Sequence, residues 1–325
     1  MSHTYRVVVC GGTFRDLECE RRILGAIGAE VVDANHLSRE EVIEQVRDAD
    51  AVMTDYFVVD AEVISRLERC QVICRYGIGV DKVDVEAATR AGIMVTRSPE
   101  YCVTELADHA LALLLAVARR IVHYDADVRA GNWQWDSPGV RRISGATLGI
   151  VGLGRIGGLV AERAKPLGLR ILAHDPLQSD DAVRARGAEP VSLEELLERS
   201  DFVSVHAPLM PQTRGLIGRA EIERMKPGAI IVNTARGPLI DQDALVEALA
   251  AGRLGGAGLD VLSPEPPAPD DPILSLPNVV ITPHAGHFSE ESLVQVQTEA
   301  AEEVLRALTG EPLLYAVNER ELQRT

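Results

Sequence analysis

Residues Ile150 to Glu162 read IVGLGRIGGLVAE: the end of an apolar strand, glycines at 152, 154 and 157, and the start of a helix. Gly152 permits a tight turn, Gly154 lets backbone approach a pyrophosphate, and Gly157 lets the helix lie close to the strand. The helix N-terminus then presents free N–H groups and the positive end of its dipole to phosphate. Arg155 adds a charge, and Ile156 lies within the same turn. A lone G-x-G-x-x-G is a weak signal. Placed between an apolar strand and a helix, it reads as a dinucleotide turn rather than a packing turn. Asp175 ends the next strand about 20 residues on, where a carboxylate accepts from ribose hydroxyls and repels a 2′-phosphate. Residues 176–183 contain no arginine or lysine, which favours NAD over NADP.

Outward from this turn the chain alternates strand and helix patterns. Downstream, LRILAHD, DFVSVHA, GAIIVNTA, GAGLDV and NVVITP read as strands, with capped helices at SLEELLERS and DQDALVEALAAG. Upstream, YRVVVC, AEVVDA, DAVMTD, QVICRY and IMVT read as strands. Helices are expected near Leu17–Ala26, after the Ser38 cap, over 58–70 and over 84–92. Such alternation argues for parallel sheets covered by helices on both faces. VTELADHALALLLAVARRI, 103–121, is apolar nearly all round, so it is either deeply buried or shared with another subunit. The long amphipathic stretch 289–310 closes the series.

At 325 residues, two domains are expected. Aromatics are only 4% of the chain, so Val, Ile, Leu and Ala do the packing. The net charge of −16 argues against nucleic acid and anionic membrane as partners. Five scattered cysteines without a CxxC pair read as reduced thiols, and no metal site is expected. The N-terminus has no secretory pattern and no apolar run spans a bilayer, so a soluble cytoplasmic protein is expected.

Three ionisable residues follow three strands of the second series: Arg236 after IIVNTA, Glu265 in the proline-rich loop after GAGLDV, and His284 after VVITP. Ligands of open parallel sheets bind beyond the strand carboxyl ends, so the three can converge on a bound nicotinamide. Each also fits a plainer role. Arg236 could pair with Asp241, Glu265 could be an exposed loop charge, and His284 a structural histidine. Together they match keto-acid reduction. The nicotinamide supplies a hydride, an imidazolium donates a proton, a neighbouring carboxylate favours that imidazolium, and a guanidinium grips a carboxylate.

The motifs RYGIGVDKVD, GLGRIG, HAPLMPQTRGLI, NTARGPLIDQDALVEAL, GAGLDV…EP and TPHAG resemble those of the D-isomer-specific 2-hydroxyacid dehydrogenase family over almost the whole chain. The resemblance implies an α/β protein with two doubly wound parallel-sheet domains. A Rossmann NAD-binding domain, 98–287, is inserted into a flavodoxin-like substrate domain, 1–97 plus 288–325. It implies Arg236 as substrate clamp and His284 as acid/base assisted by Glu265. Arg75, Tyr76, Gly77, Ile78 and Gly79 would meet the substrate carboxylate, with a hinge or interface ion pair as an equal reading of Arg75. Cofactor contacts would include Ile78, Thr104, His206, Ala207, Pro208 and Thr213, and, at the nicotinamide end, Thr234, Ala235, Arg236, Asp260, His284 and Gly286. A homodimer is implied, with the 103–121 helix and the tryptophan loop at its interface.

The stretch HAGHFSEES departs from the glycine-serine-threonine pattern of phosphoglycerate dehydrogenases, and no regulatory domain is expected after residue 325. It looks more like the C-terminal-binding-protein branch, with His287 where that branch has tryptophan. His287 either lines the substrate pocket or caps the last helix. Two functions are thus expected: an NAD-dependent dehydrogenase of a small 2-keto or 2-hydroxy acid, or an NAD(H)-sensing dimeric binding protein.

Overall fold

The computed structural model describes residues 4–323. Met1–His3, on which part of the N-terminal reading falls, and the last two residues of the expected substrate domain lie outside the described residues. The chain divides into two compact units, one running through Cys102 and resuming at Phe288, the other Val103–His287. Residues 98–102 thus go with the first unit.

In the first unit, strands β1 (Arg6–Cys10), β2 (Glu30–Asp33), β3 (Ala51–Thr54), β4 (Val72–Arg75) and β5 (Met94–Arg97) form a parallel sheet of order β2-β1-β3-β4-β5. Val7, Val8, Val9 and Val52 have no exposed surface, as expected of a sheet covered on both faces. Ser38 caps the helix Arg39–Val46 in a capping box with Glu41. The helix expected over 58–70 is only Ala61–Ile64, capped by Asp60. A tertiary pull ends it: Glu68 N donates to Arg47 O and Arg69 Nε to Asp48 O, drawing the chain toward β3.

The C-terminal helix Glu290–Thr309 returns to this unit. Gln297 Nε2 donates to Asp16 O and to the buried Glu20 carboxylate. Asn318, also buried, receives Val95 N and donates to Ile93 O, stitching the tail to β5.

The second unit holds β6 (Thr147–Val151), β7 (Arg170–His174), β8 (Glu189–Pro190), β9 (Phe202–Val205), β10 (Ile230–Asn233), β11 (Gly256–Leu259) and β12 (Val279–Ile281). They form one parallel sheet of order β12-β11-β10-β9-β6-β7-β8. The strand order reverses between β6 and β9, where open α/β sheets bind ligands. The two-residue edge strand β8 and the helix Asp180–Ala185 before it were not anticipated, because so short an element carries no periodicity.

The expected 103–121 helix ends at Ala118; Arg120 takes a left-handed conformation, and a second helix runs Ile121–Arg129. The first of these is buried within its own unit. It lies flat on the sheet because β11 offers glycines: a Cβ on Gly258 would stand 2.8 Å from Leu113 Cβ, and one on Gly256 2.5 Å from Val117 Cγ1. Among the described residues no helix is long and apolar enough to cross a membrane.

Candidate active site

The glycine turn sits at the reversal point of the second sheet. Gly152 has φ +91°, and a Cβ there would lie 2.8 Å from Ala207 N, so β6 and the end of β9 meet only without a side chain. A Cβ on Gly157 would lie 2.1 Å from Gly152 O. Gly154 is the N-cap of the helix Arg155–Ala164 and has open space where a Cβ would project. Asp175 is joined to this turn: its Oδ2 accepts from Leu153 N at 2.9 Å, and its Oδ1 from Leu177 N at 3.0 Å. Two further residues, with no signal in the sequence pattern, complete the assembly. Gln178 Nε2 donates to Asp175 Oδ2 and Leu153 O, and Arg186 Nη1 donates to the carbonyls of Leu153 and Gly154 at 2.8 Å.

The three ionisable residues come from three adjoining loops of the same sheet end. Asn233, buried at the end of β10, bends the chain into Arg236: its Oδ1 accepts from Ala235 N and its Nδ2 donates to Arg236 O at 2.9 Å. Arg236 Nη1 donates to Ala235 O. Asp241 caps the helix Gln242–Ala250 through Ala244 N. A Cβ on Gly237 would lie 1.9 Å from Leu262 O, so the Arg236 loop presses directly on the loop that carries Glu265.

Glu265 Oε1 accepts from Leu262 N at 3.0 Å, and Oε2 lies 2.8 Å from His284 Nδ1. Burial alone pushes the Glu265 carboxyl upward, but the His284 hydrogen bond and charge, Leu262 N and the nearby Arg236 charge bring it below its ordinary value. The His284 backbone has φ +54°, rare for a non-glycine residue. His284 Nε2 meets no partner among the described residues, and the ring stands edge-on to His287, with centroids 6.0 Å apart.

What holds that backbone is a buried carboxylate. Asp260 is 1% exposed. Its Oδ1 accepts from Thr282 Oγ1 at 2.6 Å and Ala285 N at 2.8 Å, its Oδ2 from Gly286 N at 2.9 Å, and its carbonyl from His284 N at 2.8 Å. Burial raises the Asp260 carboxyl, and the donors around it outweigh that and lower it. His109, from the helix Val103–Ala118, reaches Thr282 Oγ1 at 2.8 Å and lies 3.4 Å from Asp260. Neither His109 nor Thr282 carries a local signal in the sequence: only the path of the helix over the sheet brings them here.

The remaining candidates are spread around these groups. Thr234 keeps a buried hydroxyl with no partner among the described residues. Ala207 is buried and Pro208 exposed. Thr213 Oγ1 donates to Pro208 O and closes that loop on itself. His206 Nε2 lies 2.8 Å from Ser204 Oγ, and desolvation lowers its pKa to about 4. Thr104 is exposed at the start of its helix, its carbonyl accepting from Arg163.

The 75–79 segment belongs to the first unit. Arg75 Nη2 pairs with Asp55 Oδ1 at 3.3 Å, and its guanidinium lies across Gly77, where a Cβ would be 1.5 Å from Nη1. Its side chain is 13% exposed. Tyr76 is buried and its phenol donates to Glu20 Oε1 at 2.7 Å. Ile78 and Gly79 are partly exposed.

These features fit a dinucleotide: a glycine turn, a helix N-terminus opening from it, an acid at the neighbouring strand end and an unsatisfied hydroxyl at Thr234. Residues 111–286 match the family model described as "D-isomer specific 2-hydroxyacid dehydrogenase, NAD binding domain". The chain is 45% identical over 281 residues to a glyoxylate reductase of Korarchaeum cryptofilum, covering 84% of each protein. It is 41% identical to a D-3-phosphoglycerate dehydrogenase of Archaeoglobus fulgidus over 90% of its own length, and spans 55% of that longer relative. It resembles the structure of an Aquifex aeolicus D-lactate dehydrogenase complexed with NAD and lactic acid, with TM-score 0.85, 29% identity and coverage of 94% of this chain and 96% of that one. All three relatives are named as enzymes, which does not favour the expected alternative of a sensing protein. The chain therefore belongs to the D-isomer specific 2-hydroxyacid dehydrogenase family, and its second unit carries that family's NAD-binding domain.

Proposed function

We propose that this NAD-dependent oxidoreductase interconverts a small 2-keto acid and its D-2-hydroxy acid. His284 acts as acid/base, Glu265 as its partner and Arg236 as the clamp on the substrate carboxylate. The observation that carries the proposal is the 2.8 Å contact between His284 Nδ1 and Glu265 Oε2, beside the Arg236 loop.

That contact determines which ring nitrogen is left for chemistry. With Nδ1 tied to Glu265, Nε2 gives its proton to the carbonyl oxygen in reduction and takes it from the hydroxyl in oxidation. Glu265, itself fastened by Leu262 N, fixes the imidazole in that orientation. Arg236 holds the substrate carboxylate through its two-pronged guanidinium and thereby orients the neighbouring carbonyl carbon. His287 stands edge-on to His284, and in this reading it would line the path of a substrate tail.

When bound, the nicotinamide supplies or accepts the hydride. Gly152, Gly154, Arg155, Ile156 and Gly157 would hold the pyrophosphate, and Asp175 the ribose hydroxyls. His206, Ala207, Pro208 and Thr213 would flank the adenine side. Thr234, Ala235, Asp260 and Gly286 would lie at the nicotinamide end.

A glyoxylate-sized acid is favoured, because the glyoxylate reductase matches over most of both chains whereas the phosphoglycerate dehydrogenase is matched over about half its length. A homodimer and a cytoplasmic location complete the proposal. Trp133 and Trp135 are 85% and 87% exposed, and all five cysteines are free thiols. The test follows NADH consumption with glyoxylate, hydroxypyruvate, pyruvate and 3-phosphohydroxypyruvate. Turnover of the small unphosphorylated acids is expected, and tight NADH binding with no turnover of any would overturn the reading.

A further inference from the structure

His109 and Thr282 lie beneath the turn that carries His284, and nothing in the proposed chemistry uses them. Thr282 Oγ1 stands 2.6 Å from Asp260 Oδ1 and 2.8 Å from His109 Nε2. Asp260 is buried and its carboxyl is lowered by its donors, so it accepts. The Thr282 hydroxyl therefore gives its hydrogen to Asp260, and the hydrogen between Thr282 and His109 belongs to the imidazole. The result is a directed chain, His109 Nε2–H to Thr282 Oγ–H to Asp260, linking the helix Val103–Ala118 to the ends of β11 and β12.

The same three residues enclose the His284 turn. His284 N donates to the carbonyls of both Asp260 and Thr282, at 2.8 and 3.0 Å. A Cβ on Gly286 would lie 2.8 Å from Asp260 Oδ2 and 3.1 Å from His109 Cδ2, so the turn closes directly over the imidazole. A positive φ at His284 persists only where surrounding contacts over-determine it. If Thr282 rotated, Asp260 Oδ1 would lose a donor while still receiving Ala285 N, and the turn would be free to relax toward an ordinary backbone.

We infer that His109 and Thr282 are positioning residues for His284, holding its turn so that Nδ1 meets Glu265 and Nε2 faces the reacting carbonyl. The inference rests on His284 being the acid/base. Neither residue is proposed to touch substrate. They act through Asp260 on the placement of the imidazole, where an error of about an ångström costs up to ~100-fold in rate.

The experiment compares His109→Leu, His109→Gln, Thr282→Val and His284→Ala in the full chain. Readouts are kcat, keto-acid KM, NADH affinity by fluorescence and the His284 ring signals by NMR. His109→Leu and Thr282→Val should each lower kcat by roughly 10- to 100-fold with KM and NADH affinity within about threefold of the parent. Both should move the His284 ring resonances. His109→Gln, whose amide can donate to Thr282, should recover most of kcat. The His109→Leu/Thr282→Val double variant should be no worse than the poorer single one, as expected of one connected chain.

If His109→Leu does not fold, Thr282→Val, which keeps the shape and loses only the hydroxyl, carries the comparison with His109→Gln. Parental kcat in Thr282→Val, or equal losses of kcat and NADH affinity without a shift of the His284 signals, overturns the inference. An inactive His284→Ala beside a fully active Thr282→Val sinks this inference alone. An active His284→Ala sinks the reading beneath it.

Discussion

His284 Nδ1 and Glu265 Oε2 lie 2.8 Å apart although 19 residues and two differently placed loops separate them. Glu265 is held from its other oxygen by Leu262 N, so it is a fixed acceptor rather than a swinging surface charge. Replacing His284 by Ala should lower kcat by at least ~1,000-fold while NADH affinity stays within a few-fold, measured by fluorescence titration. Lost cofactor affinity instead would show that the ring serves binding.

Glu265→Gln keeps the shape of the contact and removes its charge. A drop of about 10- to 100-fold in kcat is expected, with altered pH dependence of kcat/KM. The stability consequence follows from the lowered Glu265 carboxyl. A depressed folded-state pKa means that the unfolded chain binds the proton more readily. The pair's contribution is therefore complete above the ordinary carboxylate value and is lost as pH falls through the depressed one. Melting temperatures of the parent should fall more steeply than those of Glu265→Gln between about pH 6 and pH 3. Parallel curves would mean that the ion pair does not form in solution.

Arg236 is presented by the Asn233 bend and kept near Glu265 by the close approach of Gly237 to Leu262. Arg236→Lys retains the charge and loses the planar fork. Its kcat/KM for the keto acid should fall by roughly 100-fold, mostly through KM, with NADH binding little changed. A lysine variant as good as the parent would show that only a point charge is needed there.

Asp175 is bonded to the turn it serves, through Leu153 N and Gln178. Asp175→Ala should weaken NADH by about tenfold and strengthen NADPH by a similar factor, because a 2′-phosphate no longer meets a carboxylate. Arg186, fastened to the Leu153 and Gly154 carbonyls, places a cation at that turn. Adding Arg186→Ala should remove the gain for NADPH. Unchanged discrimination between the two nucleotides in Asp175→Ala would dispose of the ribose contact.

Trp133 and Trp135 stand out in a chain with few aromatics, and Ile121 and Val122 on the nearby helix are 57% and 53% exposed. Large exposed apolar groups gathered in one region mark an association surface. Light scattering should give a dimer for the parent and a shift toward monomer for Trp133→Ser/Trp135→Ser. A monomeric parent would remove the dimer from the proposal.

The sequence by itself determined what is local. A strand, a glycine turn and a helix lie within thirteen consecutive residues from Ile150 to Glu162, so the dinucleotide turn was legible without a partner. Ser38, Ser192 and Asp241 announced their helices because a cap acts within three residues of itself. The places of Arg236, Glu265 and His284 at strand ends were legible for the same reason. What only the tertiary structure decided is long-range. The helix expected over 58–70 stopped short because Glu68 and Arg69 bond to residues of a neighbouring loop, which no local propensity encodes. Arg186 folds back on a turn more than thirty residues earlier, and His109 meets Thr282 across 173 residues. Side-chain spacing along a chain reports period and cap, but a hydrogen bond between distant elements exists only once the sheet has set their separation.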